Sequence, residues 1–214
     1  MNKIDLKKTM AAFYNPPTGK FSLVDVPPLN FLAIDGHGDP NTSPVYAEAV
    51  EALYSLAYTI KFAVKKLGTD YTVAPLEGLW WVEDMAEFSI QRKDQWDWRM
   101  LILQPEPVEA ALVEQCRAEA LKKKGLAALE RIELLNFHEG LAMQIMYLGA
   151  YADEGPTIAR LHTFIAESGY ERSGRHHEIY LGDPRRAAPE KLKTVIRQPM
   201  RKAINVCIQK MSEY

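Results

Sequence analysis

Cysteine is scarce in this 214-residue chain. Only Cys116 and Cys207 occur, far apart and outside any CxxC pair. That excludes a disulfide framework, and both side chains read as buried thiols of a reducing compartment. Charge of one sign is lacking too: the formal net charge is −2, so nothing global points to nucleic acid. The one basic stretch, Arg185 to Lys202, has Glu190 interspersed and reads as a solvated face and tail. No run reaches the ~18–20 apolar residues of a membrane span. The opening "MNKIDLKKTM" has no apolar core of a signal peptide. The expectation is a cytoplasmic protein with neither nucleic acid nor membrane as a direct partner. GxGxxG, GxxxxGK[ST] and GxSxG are all absent, so no phosphate loop or nucleophile elbow supplies a function and no cofactor is expected.

What is present is an ordinary globular composition, 47% hydrophobic and 25% charged, enough for one large domain or two small halves. Apolar runs at Phe21–Val26 and Phe31–Asp35 flank Pro27-Pro28, which marks an edge or bend because proline cannot donate to a ladder. After "GHGDPNTSP", Val50, Leu53, Leu56, Ala57, Ile60 and Val64 recur at helical spacing. Thr42 or Ser43 can cap that helix, Pro44 suits its first turn and Gly68 lies just past its end. Strands follow at Leu76–Val82 and in "WDWRMLILQP". Residues 109–125 form a connector helix whose "KKKG" end suits the helix dipole and a glycine cap.

The order then repeats. "IELLNF" and "LAMQIMYLGAY" break at His138–Gly140. An acidic start, "ADEGP", opens a second helix, and "RHHEIYL" and "LKTVIRQP" close the chain's second half. "LILQP" echoes "VIRQP". A unit written twice implies duplication, and strands with single helices imply an α+β fold with helices on one face of antiparallel sheets. The boundaries expected are a lead over 1–20, one domain over 21–206 built from halves 21–108 and 130–206, and a tail over 207–214. Two related halves facing each other would form one central ligand cleft.

Strand alternation nominates the groups that face it. In "HHEIYL", Ile179 and Leu181 form the expected core face against a helix, leaving His176, Glu178 and Tyr180 on the other side. Trp81, Trp98, Met100 and Tyr147 are the further groove candidates, with His37 in its glycine turn. The alternatives are packing tryptophans and a surface Glu178 paired with a basic side chain. Consecutive strand residues point to opposite faces, so His176 and His177 do not make a metal pair, and no metal site is expected. An acid among aromatic rings suits flat, lipophilic, cationic or aromatic molecules, and Met85, Met100, Met143 and Met146 would let the surface adapt.

"FLAIDGHGDP", "LEGLWWVED", "WDWRMLILQP" and above all "HHEIYLGDPRR" resemble the GyrI-like small-molecule-binding family, over about Phe21 to Arg201. The resemblance implies paired strand–helix–strand–strand modules about a pseudo-two-fold, with ligand between them. Relatives of this type are effector domains of multidrug-sensing regulators such as BmrR, where an acid in an aromatic pocket binds lipophilic cations. Glu178 matches that acid, and the tryptophans of "LWW" and "WDW" match the aromatic walls. About twenty residues precede the first strand, so no helix-turn-helix domain is expected there. A free-standing branch implies an alternative: hydrolysis of the strained cyclopropane of DNA-alkylating cyclopropyl-indole toxins. There Glu178 would be the general base, and Tyr180 or Tyr147 would donate to the developing phenolate. A gyrase-inhibitor type of interaction module is the second alternative.

Overall fold

A computed structural model describes residues 3–83 and 92–203. Met85 and Cys207 therefore lie outside the described residues.

The lead forms β1 (Ile4–Asp5), α1 (Leu6–Thr9) and α2 (Ala11–Tyr14). The first half then runs β2 (Ser22–Val26), β3 (Leu29–His37), α3 (Pro44–Lys66), β4 (Tyr71–Thr72), β5 (Leu76–Trp81) and β6 (Asp97–Leu103). The connector is α4 (Ala110–Lys124), closed by Gly125 in the left-handed region at φ 63°. The second half follows as β7 (Glu133–Phe137), β8 (Gly140–Leu148), α5 (Gly155–Glu167), β9 (Tyr170–Arg172), β10 (His176–Tyr180) and β11 (Lys193–Lys202). The fold is α+β. Ser43 is the N-cap of α3 but makes no side-chain cap bond, and Pro44 begins the helix.

Among the described residues, nine strands form one antiparallel sheet in the order β2-β8-β11-β10-β5-β6-β3-β7, with β9 on β11. This order is a palindrome of the duplicated unit. Reading outward from the β10/β5 centre, β11 matches β6, β8 matches β3, and β2 matches β7. Each half lends one strand to the other: β2 pairs β8, and β7 pairs β3. The bends at residues 27–28 and 138–139 make that exchange possible, because each lets one stretch of chain serve both ends of the sheet.

Helices α3 and α5 lie on the same face. The register places His176, Trp80, Trp98 and Gly36 in one row, and Glu178, Gly78, Met100 and Ile34 in the next. Tyr46 of α3 meets Trp80 and Trp98 on this face, with ring centroids 6.2 and 5.2 Å away. In the other half, Leu161 and Ile165 of α5 pack on Met143, Ile145 and Ile196, which share the row of Glu178 or its neighbours. The opposite face is buried as well, by the lead: Tyr14 reaches Glu77, and the carbonyls of Ala12 and Phe13 accept from Gln144 and Arg197.

This corrects one expectation. Ile179 does mark a core face, but that core lies under the lead segment with its short helices α1 and α2, not under α3 or α5. Glu178 and Tyr180 point to the helix-bearing side, where α3 and α5 stand apart above β5 and β10. A sheet buried on both faces gives no sequence signal for which side carries the helices.

Candidate functional site

The gap between α3 and α5 opens into a cleft of about 2160 Å³ that runs along α3. Its floor is the middle of the sheet, with Trp80 from β5 and His176, Glu178 and Tyr180 from β10. Tyr46 and Tyr54 of α3 form one wall, and Tyr151 and Glu154 at the start of α5 form the other. Trp96 meets Trp80 edge to face at 5.5 Å, and Tyr151 meets Tyr180 at 5.3 Å. Such rings offer broad apolar contact and electron-rich faces to a flat or cationic guest.

The polar centre is Glu178, whose side chain is 15% exposed. Tyr180 donates its hydroxyl hydrogen to Glu178 Oε2 at 2.7 Å, and Trp80 Nε1 donates to the Tyr180 oxygen at 3.0 Å. His176 Nε2 lies 3.1 Å from Glu178 Oε1. Burial alone would push the Glu178 carboxyl up. The hydrogen bond and charge of His176, with hydrogen bonds from Tyr180 and Glu154, outweigh it and bring Glu178 below the ordinary carboxylate value.

Glu154 behaves in the opposite way. It is the N-cap of α5, yet its side chain makes no cap bond and is 3% exposed. Its carboxyl abuts that of Glu178. Burial first, and the Glu178 charge second, raise it to about 9. Thr194 lies close enough to favour its charged form, but Glu154 Oε1 has no well-formed hydrogen bond. At neutral pH the pair therefore holds one proton, on Glu154, and one negative charge, on Glu178. Two adjacent buried carboxyls that share a proton are a ready acid and base at a single point.

The sequence-based candidates divide by location. His176, Glu178 and Tyr180 meet in the cleft. Trp98 and Met100 share their sheet face but lie fully buried beneath α3. Tyr147 also shares it, packed among the residues under α5, with its hydroxyl 3.3 Å from the Ala150 carbonyl oxygen. Trp81 and His37 lie on the opposite face. Arg175 stacks on the Trp81 ring at 3.4 Å, and His37 pairs with Asp97 at 2.8 Å. Trp80 and Trp96 are the indoles that line the cleft; Trp80 is the cross-strand partner of His176, and alternation within one strand cannot reveal that pairing. Tyr46, Tyr151 and Glu154 were not anticipated. A signal for Glu154 was available in "ADEGP", where an acid at a helix start reads as a capping or dipole residue. Only the fold shows that its side chain turns away from the helix.

Beneath the same strand lies a second polar group. His177 places Nε2 3.0 Å from Glu77 and Nδ1 2.9 Å from Glu139, and Arg197 donates to Glu139 at 2.8 Å. Arg197 also donates to Gln144 at 3.0 Å and to the Phe13 carbonyl at 2.6 Å, while Tyr14 donates to Glu77 at 2.6 Å. Burial opposes charge on both His177 and Glu139. Their mutual attraction, with Glu77 and Arg197 joining, nevertheless lifts His177 to about 9 and drops Glu139 to about 2. This cluster is closed, with charges matched in pairs.

Among the described residues, no helix is long and apolar enough to cross a membrane. Comparison with known proteins found a match to the family model of the GyrI-like small molecule binding domain over residues 19–201. Among solved structures, one from Listeria innocua described as an uncharacterized conserved protein is 39% identical, with a TM-score of 0.87 over 93% of this chain and 100% of that one. Another from Listeria innocua, described as a hydrolase, is 38% identical, with a TM-score of 0.84 over 94% of this chain and 100% of that one. The C-terminal domain of EcmrR shares the fold, at 11% identity and a TM-score of 0.53 over 86% of this chain and 98% of that one. Among curated proteins the comparison found no match. The match spans the duplicated sheet and every group of the cleft described above, and on it the chain belongs to the GyrI-like small-molecule-binding family.

Proposed function

We propose that the cleft binds flat, lipophilic, often cationic aromatic molecules, and that it adds water to those carrying a strained, electrophilic carbon. The chain is then a hydrolase of that substrate class. One observation carries the reading: two carboxyls, Glu154 and Glu178, meet in the cleft, with Glu178 held by Tyr180 and His176 and Glu154 Oε1 without a well-formed partner. Their pKa shifts run in opposite directions, Glu178 down and Glu154 up. An ionised Glu178 on the floor is a base, and a protonated Glu154 on the adjoining wall is a hydrogen-bond donor. The 38% identity to a structure described as a hydrolase supports it.

For a cyclopropyl-indole substrate, Glu178 accepts a proton from water as the water oxygen bonds to the strained carbon. The cyclopropane carbon–carbon bond breaks, and its electron pair moves into the conjugated carbonyl, which becomes a phenolate. The proton held by Glu178 returns to that phenolate through solvent. The roles expected for phenols change accordingly. The Tyr180 hydrogen is committed to Glu178, so Tyr180 orients the base. Tyr147 lies under α5 and outside the cleft lining. Stacking on Trp80, Tyr46 and Tyr151 holds the rings of the substrate in place.

The test is turnover. More than one molar equivalent of a neutral cyclopropyl-indole compound should be converted, and Glu178→Gln should lose the rate while still binding it. Consumption that stops at one equivalent reduces the cleft to a sequestering site. That second reading, binding alone, is favoured by the ring set around a single negative charge. A cationic dye such as rhodamine 6G should quench tryptophan fluorescence, and Glu178→Gln should weaken its binding.

A further inference from the structure

Gly78 is the direct cross-strand partner of Glu178 at the centre of the sheet. The palindromic strand order makes the two positions counterparts, Gly78 in one half and Glu178 in the other, with Trp80 answering to Tyr180. The missing side chain at Gly78 has a specific occupant. A Cβ built there would lie 2.8 Å from Trp80 Nε1, closer than real Cβ atoms approach, and 3.0 Å from Cε2. The indole therefore lies across Gly78, and this pose points its N–H at Tyr180.

An indole N–H can only donate, and a tyrosine hydroxyl has one hydrogen. With Trp80 donating to the Tyr180 oxygen, the Tyr180 hydrogen is free for Glu178 Oε2 alone. The chain Trp80 to Tyr180 to Glu178 thus has a fixed direction. We infer that Trp80, held flat by the absent side chain of Gly78, decides which of the two carboxyls carries their shared proton. While the chain is intact, Tyr180 donates to Glu178 Oε2, which bars the proton from that oxygen and favours the ionised form, and the proton rests on Glu154. Without the indole N–H the Tyr180 hydroxyl can turn and accept, and Glu178 can hold the proton. The other groups around the pair are unchanged by that loss: His176 on its own strand, Glu154 and Tyr151 at the start of α5, Thr194 on β11, Tyr46 on α3 and Lys93 ahead of β6. Trp80 and Gly78 are positioning residues, and their role rests on Glu178 acting as the ionised member of the pair.

The experiment is the pH dependence of rhodamine 6G affinity. In the parent protein, affinity should fall as pH drops through the protonation of Glu178. Trp80→Phe keeps a ring and removes the N–H, and should move that midpoint upward by about one pH unit. Gly78→Ala displaces the indole and should move the midpoint the same way, and the double variant should move it no further. If Gly78→Ala does not fold, Trp80→Phe decides alone. A midpoint unmoved in Trp80→Phe, while Glu178→Gln abolishes the pH dependence, overturns the inference and leaves Glu178 in place. A pH dependence that survives Glu178→Gln removes Glu178 itself, and with it the proposed function.

Discussion

Strand β10 carries two buried polar clusters, one on each side, and they are built to different rules. On the lead side, His177, Glu77, Glu139 and Arg197 satisfy one another, with Tyr14 and Gln144 completing the set. On the helix side, Glu178 and Glu154 set two acids together, and Glu154 Oε1 has no well-formed partner. Removing one member of a closed charge network leaves the rest buried and unmatched, so the first cluster resists change. The second stores unfavourable electrostatics next to an open cleft, the pattern expected where binding or chemistry takes place. Two adjacent histidines therefore divide between structure and site purely by the parity of the strand.

The contrast can be broken most severely on the closed side. Arg197→Met removes the hydrogen bonds to Glu139, Gln144 and the Phe13 carbonyl, and should cost about 3–5 kcal/mol in chemical denaturation. On the open side, Glu178→Gln should reduce rhodamine 6G affinity at least about tenfold, near 1.4 kcal/mol, measured by tryptophan quenching. Glu154→Gln should go the other way in stability. Glu154 is raised from 4.5 to about 9 in the folded protein. Its contribution is fully present below pH 4.5 and is lost as pH rises towards 9, because the unfolded chain ionises first. His177, raised from 6.5 to about 9, loses its contribution over the upper part of the same window. Unfolding free energy should therefore decline from about pH 5 to 9. Glu154→Gln should flatten the part due to Glu154 and gain on the order of 1–2 kcal/mol at pH 8. The smallest effect is expected on the far face of the sheet: Trp81→Leu and His37→Ala should leave dye affinity within about twofold.

Much of the fold could be read from the chain before any coordinates. The helical spacing of Val50 to Val64, the Gly125 cap, the proline bend and the repeated order of elements locate α3, α4 and the duplication. These are local signals, carried by neighbours in sequence. The echo of "LILQP" in "VIRQP" is two residues out of register, since the pairing makes Met100, not Ile102, the counterpart of Ile196. The strand exchange was not legible, since β2 and β7 pair across the halves at more than a hundred residues' separation. The site divided along the same line. His176, Glu178 and Tyr180 share one short strand, and period-2 alternation groups them without help. Trp80 against Trp81, and Trp98 against the cleft, depended on which strands lie side by side and on where α3 comes down.

Sequence alone determined that Glu178 and Tyr180 lie on one face, because successive strand residues alternate by covalent geometry. It also determined the doubled order of elements. Tertiary structure alone decided which face holds the helices, which indoles line the cleft and which acid meets Glu178. Glu154 is 24 residues from Glu178 and belongs to a different element. Their meeting follows from how α5 packs on the sheet, and the shared proton follows from that meeting, since like charges in a dry site cannot both persist.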